Sequence, residues 1–385
     1  MMEIAKEKQK FQIIEFARGI AAILVVMHHS GSIMSQPRFF ATEPFGQHLR
    51  YFNVGVDFFF VLSGFLITWV HLKDIGRPDR LGNFARKRFL RIYPPYWGIV
   101  VPLIALYLIF PGAGVPSQRD PLNIVASIFL LPYTEPPVLG VAWTLTHEVL
   151  FYVLFAFAIV RGRMWLSILP LWAAAIIIAN IALPSLSFPF SFLLNPFNLE
   201  FIMGTAIAWF ASRADVPRPW AWLWIGALAF VGLMLFATNL QDIPLIGRLG
   251  FGLTASIFVL GAIGVEKGRE INLPKFLGLL GAASYAIYLA HPVALSLGVH
   301  LLSRIPGSHA VSPAIIAMAL VAIGVGAGLA YHLVLERRLL QLARYVLDNP
   351  PRFLPRRQTV ASTNEPPVLN NALATAANED VESKS

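Results

Sequence analysis

Apolar runs of about 20 residues recur along most of this chain, and each is long enough to cross the ~30 Å hydrocarbon core of a bilayer. Ten are read, at about 12–33, 52–72, 92–110, 141–160, 164–183, 194–212, 219–237, 248–265, 276–302 and 312–340. Only 13% of the 385 residues are charged, against roughly 25% in ordinary soluble domains. The expected fold class is therefore all-α, a polytopic bundle of about ten transmembrane helices. The apolar stretch Leu122–Leu131 is too short to span and reads as a re-entrant or interfacial helix.

Basic residues test the span count, because cytoplasmic loops carry an excess of Lys and Arg. With ten spans, 24 of the 30 Lys and Arg fall on the side of the amino terminus and five on the other, with Arg18 inside the first span. Among the five is Arg248, read as a boundary charge. One miscounted span would scramble this asymmetry downstream, so it predicts ten spans and both termini in the cytoplasm; the expected location is the inner (plasma) membrane. The net charge of +9 then reads as attraction for anionic lipid and anionic cytoplasmic ligands, not for nucleic acid. The absence of cysteine excludes disulfides, thiol nucleophiles and thiolate metal sites. No cleavable signal peptide is expected, since the first apolar run is of full span length. Residues 1–345 read as one membrane domain. Residues 346–385 read as a polar, Pro- and Asn-rich disordered tail.

Ionisable residues inside spans are costly, so they mark interior or wetted faces. Arg18 and His29 are eleven residues apart in the first run, which places them ~20° apart on one helix face and roughly 16 Å apart along it. By the same topology His29, Asp57, Glu148 and His291 come from four spans to one level in the outer half. Arg18 lies lower, and Arg86, Lys87, Arg88 and Arg91 lie at the inner mouth of the third span. Guanidinium groups pair bidentately with phosphate, so this end suits a multiply anionic ligand. The imidazole and carboxylate level suits proton management for an arriving nucleophile. Plainer readings stand beside these. Arg18 could pair with Glu15, Asp57 could fix the fold, and His28, His147, Tyr285 and Tyr288 could be interhelical hydrogen-bond formers.

Five motifs in order then become significant together. They are Arg18-Gly-Ile-Ala-Ala with His29, Val54-Gly-Val-Asp57-Phe-Phe-Phe-Val-Leu-Ser63-Gly64-Phe65, and Arg88-Phe-Leu-Arg91-Ile-Tyr-Pro94-Pro-Tyr96-Trp97. Trp143-Thr-Leu-Thr-His-Glu148-Val-Leu-Phe-Tyr152 and Ser284-Tyr285-Ala-Ile-Tyr288-Leu-Ala-His291-Pro292 complete the set. Together they resemble the membrane acyltransferase-3 family, and most closely its short exopolysaccharide-modifying branch. Two positions depart from the family pattern: Glu15-Phe16 before the arginine, and His147 where an aromatic often precedes the glutamate.

The resemblance implies an O-acyltransferase that moves an acyl group, acetyl being the commonest, from cytoplasmic acyl-CoA to a hydroxyl of a cell-surface or lipid-linked carbohydrate. It implies that His29 is the catalytic histidine, that Glu148 is an essential acid, and that Arg88 and Arg91 bind the donor. Arg18 matches the family's first-span arginine. The mechanism expected is general-base catalysis by His29 or a brief acyl-histidine. Glu148, with Asp57 or His291 behind it, would orient the imidazole. Ser63-Gly64-Phe65 would allow close helix approach around the pantetheine arm. No metal and no resident cofactor are expected. Acyl-CoA is a co-substrate, and the other partners are a carbohydrate and membrane lipid. The competing class is a proton-coupled carrier, which also uses intramembrane Arg, His, Asp and Glu.

Overall fold

The computed structural model describes residues 11–162, 164–183, 185–236 and 244–349. Lys6, Lys8, Lys10, Arg163 and the tail from residue 350 onward lie outside the described residues. Every regular element among the described residues is helical, as lipid requires of a chain that must satisfy its backbone within each segment. In order they are α1 (Gln12–Met34), α2 (Gly55–His71), α3 (Leu81–Ile109), α4 (Pro121–Phe129) and α5 (Trp143–Arg161). Then come α6 (Met164–Ala182), α7 (Phe190–Leu193), α8 (Phe197–Ala211), α9 (Pro219–Phe236) and α10 (Pro244–Gly268). The last are α11 (Lys275–Leu302), α12 (Pro313–Tyr331), a π turn over His332–Glu336, and α13 (Arg337–Asp348).

Eight helical stretches among the described residues are long and apolar enough to cross a membrane. Two of the ten expected spans are helical but shorter. In the first, α6, the apolar stretch is Ser167–Ala182; the second is α8, with 15 residues, or about 22 Å. The third span begins earlier than hydropathy suggested. Helix α3 starts at Leu81, so Arg88 and Arg91 are helical residues about two and about three turns inside it.

The short helix α4 docks its end against the middle of α3. Asp120 caps its start by accepting from the Asn123 amide at 2.9 Å, and Pro121 occupies the first helical position, where no N–H is missed. The last carbonyls of any helix lack intrahelical partners. Here α3 supplies them: Tyr96 donates to Ser127 O at 2.7 Å, Trp97 to Ile128 O at 2.9 Å and Tyr93 to Phe129 O at 3.0 Å. Trp97 lies twelve residues before the end of α3 at Ile109, about 18 Å down its axis. The chain therefore folds back beside the middle of α3 before rising to α5. Leu130 makes the bend in the left-handed region, at φ 52°.

Helix α2 is the enclosed centre, packed on α1, α5, α8 and α10. Lipid tails offer no hydrophobic drive between helices, so association depends on close packing. A Cβ on Gly64 would overlap the Phe201 carbonyl, and one on Gly204 would overlap the Val61 carbonyl. The backbones of α2 and α8 therefore touch at two reciprocal glycines. The outer surface is apolar by contrast. Trp222, Trp224, Leu228 and Phe236 of α9 are all exposed, as a hydrocarbon-facing helix requires.

Candidate active site

Five helices enclose a cavity of about 110 Å³ that holds five of the eight residues expected to act. Arg18 comes from α1, Ser63 from α2, Arg88 and Arg91 from α3, Glu148 from α5, and Tyr285 and Tyr288 from α11. Helical spacing explains the convergence. Arg88 and Arg91 are three residues apart, and Glu148 and Tyr152 four apart, so each pair shares a face.

The cations in this cavity are held without carboxylate partners. Arg88 lies 5.5 Å from the Tyr152 ring centroid and 5.6 Å from that of Phe84, and Arg91 lies 5.3 Å from Tyr285. Arg18 donates to Ser284 Oγ at 3.0 Å. The alternative pairing of Arg18 with Glu15 is not formed, and none of the three arginines makes a salt bridge among the described residues. Ring faces hold a guanidinium while leaving its N–H fork unspent. Arg88 Nε is buried with no acceptor among the described residues, and an unpaired buried donor costs free energy.

Glu148 is the single carboxylate of the cavity. Its Oε1 accepts from Ser63 Oγ at 3.0 Å and from the Tyr152 hydroxyl at 2.6 Å, which leaves Oε2 for whatever enters. Sequence reasoning expected Glu148 to orient His29. The structure gives that task to the helix itself. His29 Nδ1 faces the Val25 carbonyl at 2.9 Å, and His291 Nδ1 faces the Ile287 carbonyl at 3.1 Å. A carbonyl only accepts, so both Nδ1 atoms carry hydrogen and both Nε2 atoms present lone pairs in the neutral rings.

The two imidazoles form a pair, with ring centroids 5.0 Å apart. They stand beside the cavity and not in its lining. Tyr288, which lines it, lies 5.9 Å from the His291 ring and 5.8 Å from Phe59. The Tyr288 hydroxyl is tied to the Val141 carbonyl at 3.0 Å and to Thr144 Oγ1 at 2.9 Å. Tyr288 and Phe59 therefore form the wall between the arginine cavity and the histidine pair. His291 Nε2 is buried without a partner.

Asp57 belongs to neither group. It is fully buried and pairs with Arg248 of α10 at 2.5 Å. Glu200 of α8, equally buried, lies beside them. Of the expected level of four groups, the structure brings together the two histidines, sets Glu148 among the arginines, and assigns Asp57 to a closed ionic cluster. Arg248 is not a boundary charge either, because α10 begins four residues before it at Pro244. Sequence reasoning passed over Glu200, although an acidic residue within an apolar run carries the same signal as Glu148.

The family model described as Acyltransferase domain matches residues 11–332. Exopolysaccharide production protein ExoZ of Rhizobium meliloti (strain 1021) is 34% identical over 342 residues, covering 80% of this chain and 95% of that protein. Acyltransferase MdmB of Streptomyces mycarofaciens is 26% identical over 398 residues, 91% of this chain and 94% of that protein. Protein 2 in picA locus of Rhizobium radiobacter is 25% identical over 189 residues, 44% of this chain and 93% of that protein. No solved structure matches the chain significantly.

Proposed function

The chain belongs to the acyltransferase-3 family of integral membrane enzymes, and from that premise we propose that it transfers an acyl group, most simply acetyl, from acyl-CoA to a carbohydrate hydroxyl. Membership in an enzyme family removes the carrier alternative. The observation that carries the donor reading is the cavity with three guanidinium groups and one carboxylate. Arg88 and Arg91, near the start of α3, bind the phosphates of the donor. The pantetheine arm runs inward past Ser63, and Glu148 Oε2 accepts from one of its amide N–H groups. Arg18 keeps this stretch cationic.

His29 is the base in this reading. A sugar hydroxyl gives its proton to His29 Nε2 as its oxygen attacks the thioester carbon. The C–S bond then breaks, the new O–C ester bond is complete, and the coenzyme thiolate takes the proton back from the imidazolium. His291 is a positioning residue beside the imidazolium. The thioester reaches this pair past the Phe59–Tyr288 wall. Asp57 is assigned to the fold through Arg248.

The acceptor class rests on the name of the Rhizobium meliloti relative, which points to an exopolysaccharide or its lipid-linked precursor. The basic-residue asymmetry supports cytoplasmic termini. The test is thermal stabilisation of the purified protein by acetyl-CoA and by CoA, compared with Arg88→Ala/Arg91→Ala. Stabilisation in the wild type and its loss in the double variant is expected. Equal stabilisation of both proteins would move the donor elsewhere.

A further inference from the structure

A second cavity lies against the other face of α5. Thr144, Glu148 and Tyr152 recur every four residues and face the first cavity, whereas Trp143, Thr146 and His147 face the second. Its volume is about 330 Å³. The opposite wall is the stretch 130–137 that leaves the short helix α4, and Phe192 of α7 adds a third ring to those of Trp143 and Tyr133.

Hydrogen bonding fixes what His147 offers to this space. Asn198 donates through Nδ2 to the carbonyls of Phe192 and Leu193, each at 3.1 Å. Its Oδ1 is therefore the atom 3.0 Å from His147 Nδ1, and it accepts from it. Nδ1 carries the hydrogen, and Nε2 is left as an acceptor on a ring that lines the cavity. The nearby Glu135 carboxylate accepts as well.

The charge of the two cavities is opposite. The lining of the second contains Glu135 and neither Lys nor Arg, so a phosphate would meet repulsion there. A neutral ligand with a flat C–H face and a rim of hydroxyl donors meets aromatic rings and two acceptors. A pocket lined mainly by apolar and aromatic groups, with a few placed polar atoms, is the usual form of a small-molecule site. We infer that this cavity holds one sugar ring of the acceptor carbohydrate, stacked on Trp143, with hydroxyls donating to His147 Nε2 and Glu135. This deepens the proposed function and rests on its carbohydrate acceptor. It also gives His147, whose position departs from the family pattern, a task in acceptor binding.

The test is photolabelling of the full chain in lipid nanodiscs. The probes are alkyl β-glucoside and alkyl β-galactoside carrying a diazirine on the sugar, with the same alkyl diazirine lacking a sugar as control. Sugar-dependent label mapped by mass spectrometry to residues 130–147 is expected. It should fall about tenfold in Trp143→Ala, as loss of a ~1.4 kcal/mol contact gives, recover in Trp143→Phe, and persist in Arg88→Ala/Arg91→Ala. Label no greater than the control, label confined to other segments, or label unchanged in Trp143→Ala would overturn the inference. Acetyl-CoA stabilisation of the same samples reads the donor proposal separately. If it is absent while the sugar label maps to 130–147, the donor reading fails and this site stands.

Discussion

Two groups of charges lie within this bundle, and they are held in opposite ways. In the first cavity Arg18, Arg88 and Arg91 rest on a serine hydroxyl and aromatic rings, with Glu148 satisfied by hydroxyls. In the closed cluster Asp57, Glu200 and Arg248 are buried against one another. The first group lines a cavity; in the second, Asp57 Oδ1 and both Glu200 oxygens are buried with no hydrogen-bond partner among the described residues. An intramembrane charge is therefore not by itself a catalytic signal. What separates the two cases is that Asp57 already has Arg248 as its ion pair, whereas the three arginines have no salt-bridge partner among the described residues.

Variants at the two groups should fail differently. Arg248→Ala leaves Asp57 and Glu200 without a cation, at a cost of about 3–5 kcal/mol. The expected result is loss of monodisperse protein in size-exclusion chromatography. The triple change Arg248→Met/Asp57→Asn/Glu200→Gln removes every charge and should restore the fold and the acetyl-CoA stabilisation. A folded triple variant that binds donor normally but transfers nothing would return Asp57 to the catalytic machinery.

Next in size is His29→Gln, which should lower transfer by roughly 10²–10⁴-fold while stabilisation by acetyl-CoA remains. Simultaneous loss of both would place His29 in the donor site and erase the division made by Tyr288 and Phe59. The pair Arg88→Ala/Arg91→Ala should weaken donor binding roughly 10–100-fold, since hydrogen bonds to charged groups contribute about 1.5–3 kcal/mol. Its unfolding temperature without ligand should stay near that of the wild type, unlike that of Arg248→Ala. The smallest effect belongs to Tyr152→Phe, which removes one hydroxyl from Glu148. A hydrogen bond of ~1 kcal/mol predicts a rise of several-fold in the KM for acetyl-CoA, with the KM for acceptor unchanged.

Much of this arrangement was legible in the residues, and the limit of legibility is geometric. Helical periodicity fixes the face and depth of a side chain on its own helix. Arg18 and His29 on one face, Arg88 beside Arg91, and Glu148 beside Tyr152 could all be read that way. Periodicity does not say which helix that face meets. Asp57 finds Arg248 across 191 positions, and nothing local to either residue announces it. Arg248 also sat at the edge of an apolar run, where hydropathy cannot separate a loop from a first helical turn. The short α4 was readable from its length. Its docked position depends on Tyr93, Tyr96 and Trp97 of another helix. The histidine pair was foreseen by depth, but not its separation from Glu148, because two aromatic side chains decide that.

The reciprocal contact of Gly64 and Gly204 has a mechanical consequence. At these two glycines the backbones meet with no room for a side chain, so the Ser63 side of the arginine cavity is held by direct backbone packing. On the opposite side, α3 is fastened by side-chain hydroxyls, from Tyr285 to the Ile92 carbonyl and from Tyr331 to the Pro95 carbonyl. The two walls of the cavity are thus held by different means, backbone contact on the Ser63 side and side-chain hydrogen bonds on the arginine-bearing side.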